Sequence, residues 1–168
     1  MATSLIHLNA CPASEFLALV GPVFEHSPWI AEQAILARPF QSRETLHTML
    51  CHVVRTASHE QQLALIRAHP DLVGRAVLTV ESNAEQAAAG LMHLSKEEVA
   101  LFDRYNREYR ERFGFPFVIC ARLNKKDAIL QAFPVRLLHT AEEEIITALW
   151  EIFKIANLRL LDLIPEPS

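Results

Sequence analysis

His69-Pro70-Asp71, within AHPDLVGRA at 68–76, is a grouping that could manage a proton. Proline pushes the residue before it out of the α region. His69 must therefore leave any helix that reaches it, with its backbone constrained and its imidazole aimed. Histidine titrates near neutrality, and a helix C-terminus, joined by Asp71, would favour the imidazolium. The chemistry on offer is general acid–base catalysis. The plain alternative is a boundary histidine followed by a proline stop.

Two further features stand out. Ser82-Asn83-Ala84-Glu85 has the Ser-x-x-Glu spacing of a capping box that opens a helix. The alternative turns the same helix start into a ligand site, where backbone N–H groups donate to polar ligand atoms and Glu85 accepts from ligand N–H groups. Near the C-terminus, Ile145, Leu149, Ile152 and Ala156 form an apolar stripe. Its next member is Arg159, and the stripe resumes at Leu163. An arginine in that register must snorkel, pair with a carboxylate or bind an anion, and a cation in a last turn also complements the helix dipole.

Other chemistries find no support. Among eight histidines, His47, His52 and His59 make neither an H-x-x-x-H pair nor H-E-x-x-H, so no metal is expected at them. The glycine patterns of phosphate loops, dinucleotide sites and nucleophile elbows are missing. A net charge of −4 without a basic run argues against nucleic acid and against an anionic membrane surface. Cys11, Cys51 and Cys120 show no metal or redox spacing, which fits a reducing compartment. The N-terminus lacks the pattern of a secretory signal, IPEPS is not a peroxisomal tail, and no apolar run is long enough for a bilayer. The expected location is cytoplasmic.

The elements that must position these residues read as helices. With 168 residues, 51% of them hydrophobic, the chain suits one domain, its core at about 7–164. Short helices are predicted at 13–20 and 29–37. At 45–57, Leu46, Met49, Leu50, Val53, Val54 and Ala57 share a face. Ser58 and Gln61 form a capping box for a helix reaching Ala68. Ser95 and Glu98 form another, opening a long helix with Val99, Phe102, Asn106, Tyr109 and Phe113 on one stripe, ended by Gly114 and Pro116. FVICARL, 117–123, is too short for periodicity to separate strand from helix start or extended chain. Without partner strands, it reads as an extended connection into a helix near 125–133. The last helix is predicted at Ala141–Leu163. The fold class is all-α, a single multi-helix domain.

HPDLVGRA (69–76), LTVESNAEQAAAGL (78–91), YRERFGFPFVICAR (109–122) and EIFKIANLRL (151–160) together resemble the OHCU decarboxylase family. OHCU is 2-oxo-4-hydroxy-4-carboxy-5-ureidoimidazoline, an intermediate of urate breakdown. The resemblance covers most of the chain. It implies an all-helical, cofactor-free, homodimeric enzyme that turns OHCU into (S)-allantoin and carbon dioxide. It implies that His69 is catalytic and that Pro70 adjoins it at the substrate. It implies a ligand segment of Ser82, Asn83, Ala84, Glu85 and Gln86, and a ligand-contacting loop of Phe117, Val118, Ile119, Cys120 and Ala121, largely through backbone groups. Arg159 is the implied inward arginine. His139 stands where a small polar residue is expected. Three readings of other classes remain beside this one: a ureide-binding sensor without turnover, a structural helical module, and a histidine-based hydrolase, for which no nucleophile or metal is seen beside His69.

Overall fold

Hydroxyl side chains set most of the helix starts. Ser4 accepts from the His7 amide, Ser42 from Thr45 and Thr79 from Ser82. Ser58 and Gln61 exchange bonds at 3.1 Å, as expected of their box. Ser95 and Glu98 do the same. Each bond satisfies an amide that the helix leaves without a partner. The computed structural model describes residues 2–74 and 77–165. Arg75 and Ala76, the end of the HPDLVGRA motif, lie outside the described residues.

Among the described residues there are nine α-helices and no strand: α1 (Leu5–Ala10), α2 (Ala13–Val20), α3 (Trp29–Ala34), α4 (Arg43–Arg55), α5 (His59–Arg67), α6 (Val80–Ala88), α7 (Lys96–Phe113), α8 (Lys126–Arg136) and α9 (Ala141–Leu163). The all-α class is as expected, and no described helix is long and apolar enough to cross a membrane. α2 and α9 have the predicted bounds. α3 stops early and continues as a 3-10 turn, Ile35–Ala37. α4 begins two residues early because Ser42 caps it. α8 runs past Pro134 to Arg136, whose side chain is bonded from outside the helix. Six-residue α1 is too short to reveal a period.

The chain divides into two compact units, Met1–Leu65 with Phe153–Ser168, and Ile66–Ile152. In the first, α3 packs against α2 and α4, and Leu8, Phe16, Val20, Ala34, Leu46, Leu50 and Val54 are fully buried. Arg38 donates to the carbonyls of Leu8 and Cys11, and Arg43 donates to that of Ile164 at 2.6 Å.

The second unit is built on aromatic rings and one buried charge pair. Phe117 stacks on Phe133 at 3.8 Å between centroids and meets Tyr109 edge-on at 5.4 Å. The Arg136 guanidinium sits 4.2 Å from the Phe117 centroid. Its Nε donates to Glu144 Oε1 at 2.7 Å and its Nη1 to the Val118 carbonyl at 2.6 Å. Glu144 is wholly buried and also accepts from the Tyr109 hydroxyl at 2.6 Å, with His139 Nδ1 at 2.8 Å from its other oxygen. Burial, then the bond to Glu144, pushes the Tyr109 phenol well above its ordinary range, so it stays neutral and donates.

Breaking one side of a buried ion pair strands the other charge. Glu144→Leu should therefore cost about 3–5 kcal/mol, measured by urea denaturation. A loss below about 1 kcal/mol would place this pair with exposed ones.

Candidate functional site

His69 lies just beyond α5, its amide donating to the Ile66 carbonyl at 3.2 Å. It is 8% exposed. The segment that follows is held at three consecutive residues. Asp71 Oδ1 accepts from Arg110 at 2.7 Å. The Leu72 carbonyl accepts from Asn106 Nδ2 at 2.8 Å. The Val73 amide donates to Gln86 Oε1 at 3.1 Å, and Gln86 Nε2 reaches the Asp71 carbonyl at 3.5 Å. Val73 has φ +58°, a left-handed conformation that a β-branched residue adopts only under restraint. Gly74 follows it, and a Cβ there would approach the Asp71 backbone oxygen to 3.1 Å. The turn after His69 is thus tied by side chains of α6 and α7. Asp71, the acid beside the histidine, thus pairs one carboxylate oxygen with Arg110.

α6 carries a correction. The expected capping box at Ser82 and Glu85 does not form. The helix starts at Val80, and Thr79 caps it by accepting from the Ser82 amide at 3.1 Å. The hydroxyl one turn earlier takes the cap, so Ser82 falls inside the helix. The Ser82 and Asn83 amides are engaged by Thr79, so neither is the open helix-start donor that the spacing suggested. The side chains at 82, 85 and 86 share a helix face and are all buried, at 6%, 8% and 4% exposure. Asn83 and Ala84 turn outward and are exposed. A serine, an acid and an amide on the buried side of one helix are out of place unless they bond to something polar.

The 117–121 segment is neither helix nor strand up to Cys120, which is extended, and closes in the 3-10 turn Ala121–Leu123 ahead of α8, in keeping with the expected connection into a helix. α6 packs against that turn, and Lys125 Nζ donates to the Ala88 carbonyl at 3.0 Å. Phe117, Val118, Cys120 and Ala121 are buried. Arg136 takes the Val118 carbonyl, and buried Glu151 accepts from the Cys120 amide at 3.0 Å. Ile119, between them, is half-buried and makes no hydrogen bond among the described residues.

The second unit therefore brings together the His69 turn, the buried face of α6 and the 117–121 segment. Arg159 belongs to the first unit. It is 6% exposed, and its partners there include Glu25 Oε2 at 2.9 Å and the Pro22 carbonyl at 3.0 Å. Of the three fates open to it, pairing with a carboxylate is realised. Another candidate pair in that unit is inert. Cys51 Sγ lies 3.4 Å from His47 Nε2, which is also 2.9 Å from the Phe153 carbonyl. A carbonyl only accepts, so Nε2 carries the proton and cannot take one from the thiol. Burial also pushes the Cys51 thiol up to about 11.

Sequence reasoning missed Arg136, Glu144 and Glu151 as positioning groups. Glu144 sits in an acidic first turn that reads as dipole complement. Glu151 left a weak signal, an acid one residue from Ile152 of the apolar stripe.

The sequence as a whole matches the family description of OHCU decarboxylase over residues 9–161. The chain belongs to the OHCU decarboxylase family. The 2-oxo-4-hydroxy-4-carboxy-5-ureidoimidazoline decarboxylase of Haloferax volcanii is 44% identical over 159 residues, spanning 95% of each chain. The protein of that name from Halalkalicoccus jeotgali is 40% identical over 156 residues, 93% of this chain and 89% of the other. A crystal structure of (S)-allantoin synthase superposes with a TM-score of 0.77 at 29% identity, covering 96% of this chain and 54% of that one. This OHCU decarboxylase-family chain thus spans about half of the synthase chain and most of the Haloferax and Halalkalicoccus relatives.

Asn106 touches the His69 turn without belonging to the ligand segments of the family pattern. Asn106→Leu should leave the Leu72 carbonyl without its donor and cost about 1–3 kcal/mol. A turn displaced by a fraction of an ångström should lower turnover by about tenfold or more. Urea denaturation and OHCU turnover check the two effects, and unchanged turnover would show that the tether does not place the histidine.

Proposed function

We propose that this chain decarboxylates OHCU to (S)-allantoin and carbon dioxide without a cofactor, with His69 as the acid–base group. The observation that carries the reading is the buried polar face of α6, Ser82, Glu85 and Gln86, tied through Gln86 to the turn that follows His69. Family membership supplies the substrate class, since the Haloferax and Halalkalicoccus relatives carry that activity in their names, and (S)-allantoin is the product named for the 29% identical synthase.

The substrate holds its own electron sink, which is why no electron-accepting group has to be supplied. The bond from C4 to the carboxylate breaks and carbon dioxide leaves. The electron pair flows into the neighbouring C5=N imine, whose nitrogen takes up a proton. The C4 hydroxyl then gives up its proton as C5 gains one, leaving a carbonyl at C4 and a stereocentre at C5. His69 contacts the carboxyl or hydroxyl region and moves these protons. Glu85 accepts from ureido or ring N–H groups, and Ser82, Pro70 and the Ile119 peptide complete the cradle. Asn83 and Ala84 are exposed, so the ligand segment acts through Ser82, Glu85 and Gln86. The same reading has the enzyme work as a homodimer, as the family resemblance implies, and in the cytoplasm, as the unpatterned cysteines suggest.

Arg159 is proposed to donate to a substrate carbonyl or to developing negative charge. Glu25 and the Pro22 carbonyl hold its guanidinium in one orientation, which suits a rigid fork of donors.

The test is to generate OHCU in place from urate with the upstream enzymes and follow circular dichroism. (S)-Allantoin should appear faster than the spontaneous racemate. His69→Ala should slow turnover by about 10²–10⁴-fold while the far-ultraviolet spectrum stays unchanged. A wild-type rate in that variant would remove His69 from the mechanism. Arg159→Lys should weaken (S)-allantoin binding, because an ammonium cannot reproduce the fork. Unchanged affinity would leave Arg159 as Glu25's structural partner only.

A further inference from the structure

Three side chains of different donor type meet where α1 turns into α2. His7 lies in α1, Cys11 caps its C-terminal end and Glu15 lies in the first turn of α2. The ligating atoms of the three all fall within 4.8 Å of one another. His7 Nε2 is already 2.7 Å from Glu15 Oε1. Cys11 is 7% exposed and forms the floor beneath them, its thiol donating weakly to the Leu8 carbonyl at 3.7 Å. The side chains of His7 and Glu15 are each 46% exposed, so an ion can enter from water.

We propose that His7, Cys11 and Glu15 bind a zinc-like divalent cation, with water completing the coordination. An imidazole, a thiol and a carboxylate are a borderline-soft set that suits zinc and rejects calcium or magnesium. Zinc bonds of about 2.0–2.3 Å place tetrahedral ligands about 3.3–3.7 Å apart. The imidazole and carboxylate must therefore open by less than about 1 Å, and small side-chain rotations supply that. The backbone between the three residues is already set. The Cys11 amide donates to the His7 carbonyl at 2.8 Å, and Arg38 donates to the Cys11 carbonyl at 2.8 Å. Little ordering is left for the ion to impose. The Cys11 proton passes to solvent as the thiolate forms, the proton that His7 Nε2 holds toward Glu15 leaves that nitrogen for Nδ1 by way of solvent, and the ion staples α1 to α2. The site is separate from the groups assigned to decarboxylation. Chain spacing sets the three at i, i+4 and i+8, but the helix breaks at Cys11-Pro12 between His7 and Glu15, so only the structure shows that their ligating atoms meet.

The test titrates metal-free protein with cobalt(II) and then with zinc. A ligand-field band and a thiolate-to-cobalt charge-transfer band should rise together, saturate at one ion per chain and release a proton. Zinc should abolish both. Cys11→Ser should remove the charge-transfer band, and His7→Ala, a change at an exposed side chain, should weaken binding by at least the ten- to hundredfold that loss of a ligand's supporting partner costs. Cys51→Ser, at the other thiol–imidazole pair, should leave both bands intact. No charge-transfer band, a band that survives Cys11→Ser, or one that depends on Cys51 would overturn the proposal.

Discussion

Arg136 keeps a full positive charge with 6% of its surface exposed. Taking such a charge out of water costs several kcal/mol unless the surroundings replace its hydration. Here they do so with a carboxylate, a backbone carbonyl and the face of an aromatic ring. Those replacements come from α9 and, through Val118 and the Phe117 ring, from the 117–121 segment, so solvating one guanidinium on α8 holds three separate parts of the second unit in register. Glu144 has the mirror-image problem. It resolves it with Arg136, the Tyr109 hydroxyl and His139. Neither charge can be tolerated alone, and each therefore constrains the other's helix.

The consequence reaches the 117–121 segment. The Val118 carbonyl is taken by Arg136 and the Cys120 amide by Glu151. The Ile119 peptide between them is held in place by bonds that it does not itself make. A backbone group positioned this way needs no reorganisation to serve in the cradle proposed for the substrate. The His69 turn follows the same logic with neutral groups. Val73 sits in a conformation that costs of order 1–3 kcal/mol, and amide side chains from α6 and α7 hold its neighbours against relaxation. In both places a strained or isolated peptide is presented by side chains behind it.

Much of this was legible along the chain. The Ser58 and Ser95 boxes, the glycine that ends α7 and the bounds of α9 depend on residues three or four apart, and local rules reach that far. The place of His69 at a helix exit followed from one proline. The start of α6 did not follow. Thr79 and Ser82 were both able to cap, and the choice went to the hydroxyl that let Ser82, Glu85 and Gln86 face inward. A local rule cannot weigh that, because the gain comes from burial against other elements. Asn106 stood on an apolar stripe where its polarity was visible, but its partner is 34 residues away.

The sequence by itself determined the helical class, most helix ends, the oddity of His69, Ser82, Glu85 and Arg159, and, through four ordered motifs, the family. Tertiary structure decided which partners the polar side chains take: Glu25 for Arg159, Arg110 for Asp71, the 69–74 turn for Gln86. The division has a physical origin. Helix caps and amphipathic faces are settled between residues a turn apart. A buried charge or amide must be satisfied by whatever the folded chain brings beside it, and no spacing rule encodes a neighbour more than a hundred residues away, as Glu25 is from Arg159.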